Sequence, residues 1–522
     1  MDAETAFDMV RGPISVTILI TTLLHGASVA APAPAPLTEP STRIAGPSLE
    51  DRVRLGIRKA NLGKGLVSVS IRACDDGPDG LGRSLVSING DRPMIPASNM
   101  KLVSTGTALH VLGPRFEFRT RLIQDGDTFT LVGDGDPTLG DPDMFARLVM
   151  RQPDGERRAI DEEILLGLWA DAIAARAGDA PVSIRVDDSV FDRNLFHEGW
   201  NPNDRLKRYA AEVSGLNFHR NTFHFRPDAT APGRPDWSDM RPRAPWLLRS
   251  ATNKSSRGKK QTAWIARGPE ANQLSFRGTV KGRFTDPLEV TFHDPSLMFA
   301  RLLADRLEAR GVVVRDIGRV ALPNAKRDDR VGPTIRTPIG PVVERCNEFS
   351  QNLYAESLLK RAVHARTGRP GSWEDADEVV KQVARKRLGP DGTRLVMPLR
   401  IEDGSGLSKG NRLTANFLTA WLDSFHDDPR LRNDYVKSLS RGGLEDDGTL
   451  AKRFKDMPEG YEVDAKSGYV SGVSTLSGFV TSPDGRRWAF SVLCNDVAHD
   501  VRGAKALQER VARDIALWDL AQ

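Results

Sequence analysis

Cysteine and histidine are scarce in this chain of 522 residues, which has three cysteines and nine histidines. Cys74, Cys346 and Cys494 are far apart in the sequence and form no Cys-x-x-Cys pair or Cys/His cluster. This spacing excludes a disulfide framework and a structural zinc site, and it leaves one disulfide of undetermined pairing open. No His-Glu-x-x-His motif is present, so metal catalysis is not expected. The sequence therefore predicts a protein that uses no metal and no other cofactor.

The chain also lacks a strong excess of charge of either sign. Its 74 Lys and Arg residues face 69 Asp and Glu residues, which leaves a net charge of +5. So small a charge on so long a chain does not indicate a nucleic-acid partner. The local exception is the basic run 253–260, which predicts a solvated loop, with contact to an anionic surface as the alternative. The hydrophobic content of 39% is typical of a globular protein.

No apolar run is long enough to span a bilayer. The longest, residues 14–24, is too short for a transmembrane helix and leads into small residues that suit a signal-peptidase site. Residues 1–30 are therefore predicted to be a signal peptide, whose true start is expected at Met9 because residues 1–8 are acidic. Residues 31–44 form a Pro/Ala-rich linker. The mature protein is predicted to be exported to the periplasm or cell envelope, as a soluble or peripherally membrane-associated protein.

A Ser-x-x-Lys motif, Ser98 to Lys101, lies at the start of a predicted amphipathic helix that ends at Gly113-Pro114. The two residues are one helical turn apart and therefore share a face. A desolvated lysine amine can remove the proton of a serine hydroxyl, and a helix N-terminus offers free N–H groups to an oxyanion. Ser98 is thus a candidate nucleophile and Lys101 a candidate general base.

The same spacing occurs at Ser256–Lys259 and Ser357–Lys360. The first pair lies in the basic run and the second lies inside a predicted helix, where no free N–H groups are available. Both are interpreted as chance matches. Only Ser98 both lies at a predicted helix start and precedes the two further motifs that a serine-lysine acyl transferase needs.

The first of these motifs is Ser350-x-Asn352, in which Ser350 can relay a proton and Asn352 can bind the substrate peptide and Lys101. An earlier Ser87-Ile88-Asn89 precedes the nucleophile and is interpreted as chance.

The second motif is Lys466-Ser467-Gly468, at the start of a predicted strand. Lys466 and Ser467 can bind a terminal carboxylate, and Gly468 allows a close approach of substrate backbone. The backbone N–H groups of Ser98 and Tyr469 would form an oxyanion hole. A positive charge on Lys466 is also expected to lower the pKa of Lys101.

With these motifs in order, the sequence resembles the class C low-molecular-mass penicillin-binding proteins, which are D-alanyl-D-alanine carboxypeptidases and endopeptidases. The resemblance runs from about residue 49 to 520. It also covers the segments 133–139, 350–359, 403–408, 411–414, 448–454 and 466–474. The resemblance implies Ser98 as the acylated nucleophile, Lys101 as the base, Ser350 as the proton relay, and Asn352, Lys466 and Ser467 as substrate-binding residues. Ser467 departs from the usual threonine but keeps the hydroxyl.

The fold implied by the resemblance is of the α/β class (α+β type). An antiparallel sheet flanked by helices forms a transpeptidase-like domain that carries two nested insertions. The predicted boundaries are 45–116 and 336–522 for the catalytic domain, 117–141 and 223–335 for a β-rich insertion, and 142–222 for a nested α/β insertion. Periodicity independently predicts that strands from both chain ends share one sheet. It also predicts helices over 49–60, 144–150 and 342–366.

The implied substrates are peptidoglycan stem peptides that end in D-Ala-D-Ala, and β-lactam antibiotics are implied as covalent inhibitors. Two alternatives stay open at this point: a β-lactamase, and a non-catalytic protein that binds the wall or senses β-lactams. The turn containing Asp403, Ser405 and Ser408 is interpreted as a structural element. The sequence does not predict the oligomeric state, the preferred third stem residue or the ratio of the two peptidase activities.

Overall fold

The computed structural model describes residues 47–74, 81–145, 149–151, 157–320, 330–444 and 448–522. The predicted signal peptide and linker lie outside these residues. The helices are α1 Leu49–Ala60, α2 Met100–Leu112, α3 Pro142–Phe145, α4 Glu162–Ala177, α5 Pro245–Ser250, α6 Pro295–Glu308, α7 Ile339–Glu348, α8 Asn352–Thr367, α9 Ala376–Arg387, α10 Gly392–Val396, α11 Ala415–His426, α12 Arg432–Val436 and α13 Val501–Asp519. In these ranges, no helix combines the length and the apolar content that crossing a membrane requires.

The strands before residue 260 are β1 Leu66–Ala73, β2 Ser84–Ile88, β3 Glu117–Asp125, β4 Thr128–Val132, β5 Val149–Arg151, β6 Arg157–Ala159, β7 Val182–Asp187, β8 Thr222–Phe225, β9 Met240–Arg241, β10 Thr252–Asn253 and β11 Ser256–Arg257. Those after it are β12 Trp264–Arg267, β13 Leu274–Arg277, β14 Thr279–Val280, β15 Leu288–Thr291, β16 Val314–Arg319, β17 Arg330–Pro338, β18 Ser440–Arg441, β19 Glu462–Val470, β20 Val473–Thr481 and β21 Arg487–Asn495.

Both ends of the chain build one central sheet, in the strand order β18-β19-β20-β21-β1-β2. All its neighbouring pairs are antiparallel. Side chains alternate across a strand, so both faces need cover. Val492 packs in the cluster that includes residues of α1 and α13, and Leu493 packs in the cluster with α2, α8 and α11. Helices on both faces of an antiparallel sheet confirm the predicted fold class.

Helix α2 lies inside the protein rather than on its surface. Every residue from Met100 to Leu109 is buried, so the prediction of an amphipathic helix is wrong. Its polar residues, which suggested a solvent-exposed face, form hydrogen bonds inside the core. Ser104 Oγ donates to Gly404 O at 2.6 Å, and Thr105 Oγ1 donates to Lys101 O at 2.7 Å. The helix ends at Gly113 as predicted.

The single helix predicted over 342–366 is two helices, α7 and α8, with a break between Glu348 and Asn352. Ser350 occupies this break with φ +58°, a backbone conformation that serine rarely adopts. The apolar spacing continues across the break, which is why periodicity alone joined the two helices. The break places the Ser350-x-Asn352 motif at the N-terminus of α8.

The region from β3 to β17 contains a mixed five-stranded sheet in the order β16-β7-β4-β3-β17. Its core is a separate apolar cluster that includes residues of α4 and α6. β4 belongs to the predicted segment 117–141, whereas its parallel neighbour β7 belongs to the predicted nested segment 142–222. The division between two nested insertions stays a prediction. The helix predicted over 144–150 is wrong: α3 runs from Pro142 to Phe145, and Val149–Arg151 is strand.

Candidate active site

The candidate nucleophile lies in a tight turn that leads into α2. Ala97–Asn99 is a single 3₁₀ turn, and α2 continues from Met100. Ala97 has φ +46°, so a strained residue directly precedes Ser98. Gly406 packs on this turn: a Cβ there would lie 1.8 Å from Ala97 O, which only glycine avoids.

Lys101 Nζ contacts three oxygen atoms from three different parts of the chain. It lies 3.1 Å from Ser98 Oγ, 2.6 Å from Asn352 Oδ1 and 2.9 Å from Ser405 O. The lysine is fully buried. The structure thus brings together the predicted nucleophile, base and amide. It adds the Ser405 carbonyl, which sequence analysis had assigned to a purely structural turn.

Burial lowers the pKa of Lys101 from 10.5 to about 8, because water no longer solvates the ammonium. Cys346, Glu356 and Asp403 act in the opposite direction and raise it. The expected further lowering by Lys466 stays a prediction, and the repulsion between the two ammonium groups acts on Lys466 as well. The pKa of Lys466 lies well below its ordinary value, first because of burial and second because of Lys101. Burial is therefore what makes a neutral Lys101 amine accessible near neutral pH.

Asn352 joins the base to the region between β3 and β17. Its Oδ1 accepts from Lys101, and its Nδ2 donates to the backbone carbonyl of Tyr209 at 2.7 Å. One N–H of the amide is left for a substrate. Ser350 lies two residues before Asn352 and lines a pocket with Arg208, Tyr209 and Asn352. Among the described residues, no hydrogen bond of the Ser350 hydroxyl is present.

Asn99 fixes α2 against the sheet, a role that sequence analysis missed. Its Nδ2 donates to Lys466 O at 2.5 Å, and its Oδ1 accepts from Ser477 Oγ at 3.0 Å. Only its position next to Ser98 could have pointed to it. Through these bonds, the β19 residues that carry the third motif are held beside the nucleophile.

The third motif lies on β19, where β18 pairs only with Asp464 and Ala465. Lys466 is fully buried, and its Nζ donates to Ser467 O at 2.8 Å. The Ser467 hydroxyl donates to Thr449 Oγ1 at 3.0 Å and is near the surface. From Lys466 to Val470, β19 pairs with β20 on one side only. Within the described residues, no strand pairs with its other edge there. An extended substrate could add to such an edge.

Packing inside the protein requires a glycine at position 468. A Cβ at this position would stand 2.2 Å from Thr475 Oγ1 and 2.9 Å from Ser98 N. Thr475 cannot easily yield, because its hydroxyl donates to Pro96 O at 2.8 Å. The Ser98 N–H is therefore next to β19, where the predicted oxyanion hole with the Tyr469 N–H requires it.

Gly468→Ala is expected to push β19 away from Ser98 and to slow acylation about 100-fold, since a displacement near 1 Å has such an effect. Overpacking should also lower the free energy of unfolding by about 1–3 kcal/mol. Labelling with fluorescent penicillin and denaturant unfolding measure the two effects. Gly167→Ala is the control, because a Cβ there meets only Arg310 at 3.6 Å. Wild-type acylation by Gly468→Ala would contradict the packing argument.

Two buried carboxylates hold the turn 403–408 in place. Asp403 accepts from the backbone N–H groups of Gly406 and Ser408 and from Trp200 Nε1. Glu356 on α8 accepts from Gly404 N at 2.7 Å, from Ser405 N at 2.8 Å and from Trp373 Nε1 at 2.8 Å. The turn is structural as predicted, and it also presents the Ser405 carbonyl to Lys101.

The other two Ser-x-x-Lys pairs lie elsewhere, as predicted. Lys360 Nζ donates to Asp192 Oδ1 at 2.6 Å and lies over the Trp373 ring, so it fastens α8 to the segment before β8. Ser256 is exposed on β11. All three cysteines fall within the described ranges and are free thiols, which rules out the single disulfide that the sequence had left open.

A family model described as the D-Ala-D-Ala carboxypeptidase 3 (S13) family matches residues 60–514. The chain belongs to this family. Membership confirms the predicted resemblance and the predicted reaction, that of a serine-type D-alanyl-D-alanine carboxypeptidase.

Among relatives of this S13 chain, a D-alanyl-D-alanine carboxypeptidase of Actinomadura sp. (strain R39) is 29% identical over 456 residues, which cover 83% of this chain and 79% of the relative. The D-alanyl-D-alanine carboxypeptidase DacB of Haemophilus influenzae is 22% identical over 422 residues, 79% of this chain and 82% of the relative.

The crystal structure of penicillin binding protein 4 from Haemophilus influenzae aligns with 90% of this chain and 99% of its own, with a TM-score of 0.67 and 20% identity. A second structure of that protein, complexed with a β-lactam, gives a TM-score of 0.62 and 18% identity, and covers the same 90% and 99%. These likenesses confirm the fold.

Proposed function

We propose that this carboxypeptidase cleaves the D-Ala-D-Ala bond of peptidoglycan stem peptides through an ester with Ser98. The observation that carries the proposal is the position of Lys101 Nζ, which lies 3.1 Å from Ser98 Oγ in a fully buried site. An amine whose pKa is lowered to about 8 is neutral often enough near neutral pH to act as a base.

Acylation begins when the neutral amine of Lys101 takes the proton of the Ser98 hydroxyl. Ser98 Oγ then attacks the carbonyl carbon of the penultimate D-Ala, and the N–H groups of Ser98 and Tyr469 stabilise the oxyanion. The C–N bond breaks as the leaving D-Ala amine receives a proton from Lys101 by way of the Ser350 hydroxyl. Water then hydrolyses the ester, with Lys101 again as the base, and regenerates Ser98.

The terminal carboxylate of the substrate is proposed to bind Lys466 and Ser467. In the free enzyme, burial without a counter-charge lowers the pKa of Lys466. An arriving carboxylate supplies the missing negative charge and raises this pKa, so that the cation forms when it is needed. The remaining N–H of Asn352 and the open edge of β19 hold the peptide backbone.

The same site supports two further proposals. A β-lactam amide resembles the scissile bond, so β-lactams are proposed to acylate Ser98 and to remain bound as slowly hydrolysed esters. An open strand edge also accepts a cross-linked stem, so cleavage of D-amino-acid cross-links is proposed as a second activity. Because the substrate lies outside the cytoplasm, residues 1–30 are proposed to direct export to the periplasm or cell envelope.

Release of D-Ala from a pentapeptide stem ending in D-Ala-D-Ala is the experiment that tests this function. We expect D-Ala to appear with multiple turnovers, and we expect penicillin to inhibit its release stoichiometrically. Penicillin binding without D-Ala release would instead support the non-catalytic alternative. Rapid turnover of a chromogenic cephalosporin without D-Ala release would support the β-lactamase alternative.

A further inference from the structure

Positive charge is concentrated in one short segment of the chain. Residues 241–283 contain eleven Lys and Arg residues and a single acid, Glu270. The segment therefore carries a formal charge of +10, while the rest of the chain sums to −5. The modest net charge of +5 hides this asymmetry.

The exposed cations of this segment lie on or next to its short paired strands. β10 and β11 run parallel to β13 and β14, with Asn253 opposite Phe276 and Arg257 opposite Val280. Thr279 Oγ1 bonds to Lys260 O, and Lys281 N bonds to the Gln261 side chain. We define the basic surface as the exposed residues Lys254, Arg257, Lys259, Lys260, Arg277 and Lys281.

In the part of the chain that the structure describes, none of these six cations forms an ion pair. Arg257 donates to the backbone carbonyl of Ala231 rather than to an acid. The acids of the adjoining turn are engaged elsewhere: Asp228 bonds to Thr230, Asp236 to Ser238, and Asp239 to Arg283. The basic surface therefore presents uncompensated charge to the solvent.

An exposed tryptophan lies among these charges. Trp264 is 50% exposed and lies opposite Arg277 in the register of β12 and β13. The Arg277 guanidinium is 5.5 Å from the centre of the indole ring. A soluble polyanion would need only the cations, whereas a tryptophan among cations is typical of a surface that enters the interface of a bilayer.

We propose that the basic surface and Trp264 dock this enzyme onto a bilayer rich in anionic phospholipids. The lysines and arginines contact lipid phosphates, and Trp264 inserts at the level of the headgroups. Such docking is reversible and depends on salt, because it rests on screened charge and one aromatic side chain. It uses no active-site residue, so it leaves the hydrolysis of a soluble peptide unchanged.

Sedimentation of the mature chain with vesicles tests the proposal, using phosphatidylglycerol/phosphatidylcholine vesicles and vesicles of phosphatidylcholine alone. We expect binding to the anionic vesicles at low salt, loss of binding at high salt, and little binding to neutral vesicles. Lys259→Gln/Lys260→Gln/Lys281→Gln should weaken partitioning on the order of 100-fold. Trp264→Ala should weaken it further when the changes are combined.

The matched control is Lys59→Gln/Lys64→Gln/Lys455→Gln, which removes the same charge from three exposed lysines outside the basic surface. It should bind anionic vesicles as the unaltered protein does, and all variants should release D-Ala from a soluble pentapeptide equally. Equal vesicle binding by both triple variants would overturn the proposal. So would salt-dependent binding to soluble polyphosphate with no binding to anionic vesicles, since the partner would then be a polymer.

Discussion

Ser98→Ala is expected to abolish covalent labelling by fluorescent penicillin and to lower D-Ala release about 10⁶-fold, the size of effect seen when a serine nucleophile is removed. The methyl group cannot form the ester, and Lys101 then has no hydroxyl proton to take. Ser98 Oγ accepts one hydrogen bond, from Lys101, and this bond does not hold an element of the fold in place. The free energy of unfolding should therefore change little. Labelling on a gel and D-Ala release measure the first effect, and thermal unfolding measures the second.

Ser256→Ala and Ser357→Ala are the matched controls for this experiment. Each removes a hydroxyl three residues before a lysine, but Lys360 bonds to Asp192 and Asn194 instead, and Lys259 is exposed in the basic run. Both should keep the labelling stoichiometry of the unaltered enzyme. Persistent labelling of Ser98→Ala, or loss of labelling in Ser357→Ala with the fold intact, would contradict the assignment of the nucleophile.

Local sequence signals were sufficient to predict an element whose ends are marked by capping residues. Helix α1 was predicted over residues 49–60 and has these bounds, since Ser48 caps its first turn and Asn61 ends it in the left-handed conformation. The break between α7 and α8 has no such signal. It contains no proline or glycine, and Ser350 is held at φ +58° by its surroundings rather than by its own preference.

The motif residues of the site were predictable because their side chains do the chemistry. Backbone atoms carry no such signature, so the Ser405 and Tyr209 carbonyls, which accept from Lys101 and Asn352, were missed. The burial that lowers the pKa of Lys101 could not be predicted from the motif, because burial depends on packing that a single sequence does not specify. Glu356 lies in the segment 350–359 that carries the family resemblance, but its contact with the turn 403–408 depends on the fold and could not be predicted.

Glu356→Gln is expected to slow acylation about 100-fold, because Glu356 positions the turn that presents the Ser405 carbonyl to Lys101. The carboxylate accepts from Gly404 N and Ser405 N with different oxygens. A glutamine has only one acceptor oxygen, so one buried N–H loses its partner, which costs about 1–3 kcal/mol of stability. The rate of penicillin labelling and denaturant unfolding measure these effects.

The pH profile separates positioning from a general loss of stability. Acylation by the unaltered enzyme should rise with pH through about 8, where Lys101 loses its proton. Burial, with a contribution from Asp403, raises the pKa of Glu356 itself to about 7, so the carboxylate is charged over that range. A negative charge near the ammonium raises the pKa of Lys101, and its removal lowers this pKa. The midpoint of the rise in Glu356→Gln should therefore lie at lower pH than in the unaltered enzyme.

Glu402→Gln is the control for this shift, since Glu402 pairs with Ser408 and Arg400. Among the described residues, its side chain has no hydrogen bond to Lys101 or to the ligands of Lys101. It should leave the midpoint in place even if it lowers stability. A Glu356→Gln enzyme that acylates more slowly but keeps its midpoint would reduce Glu356 to a packing residue. A shift to lower pH in Glu356→Gln alone would show that this carboxylate sets the protonation of the base as well as its position.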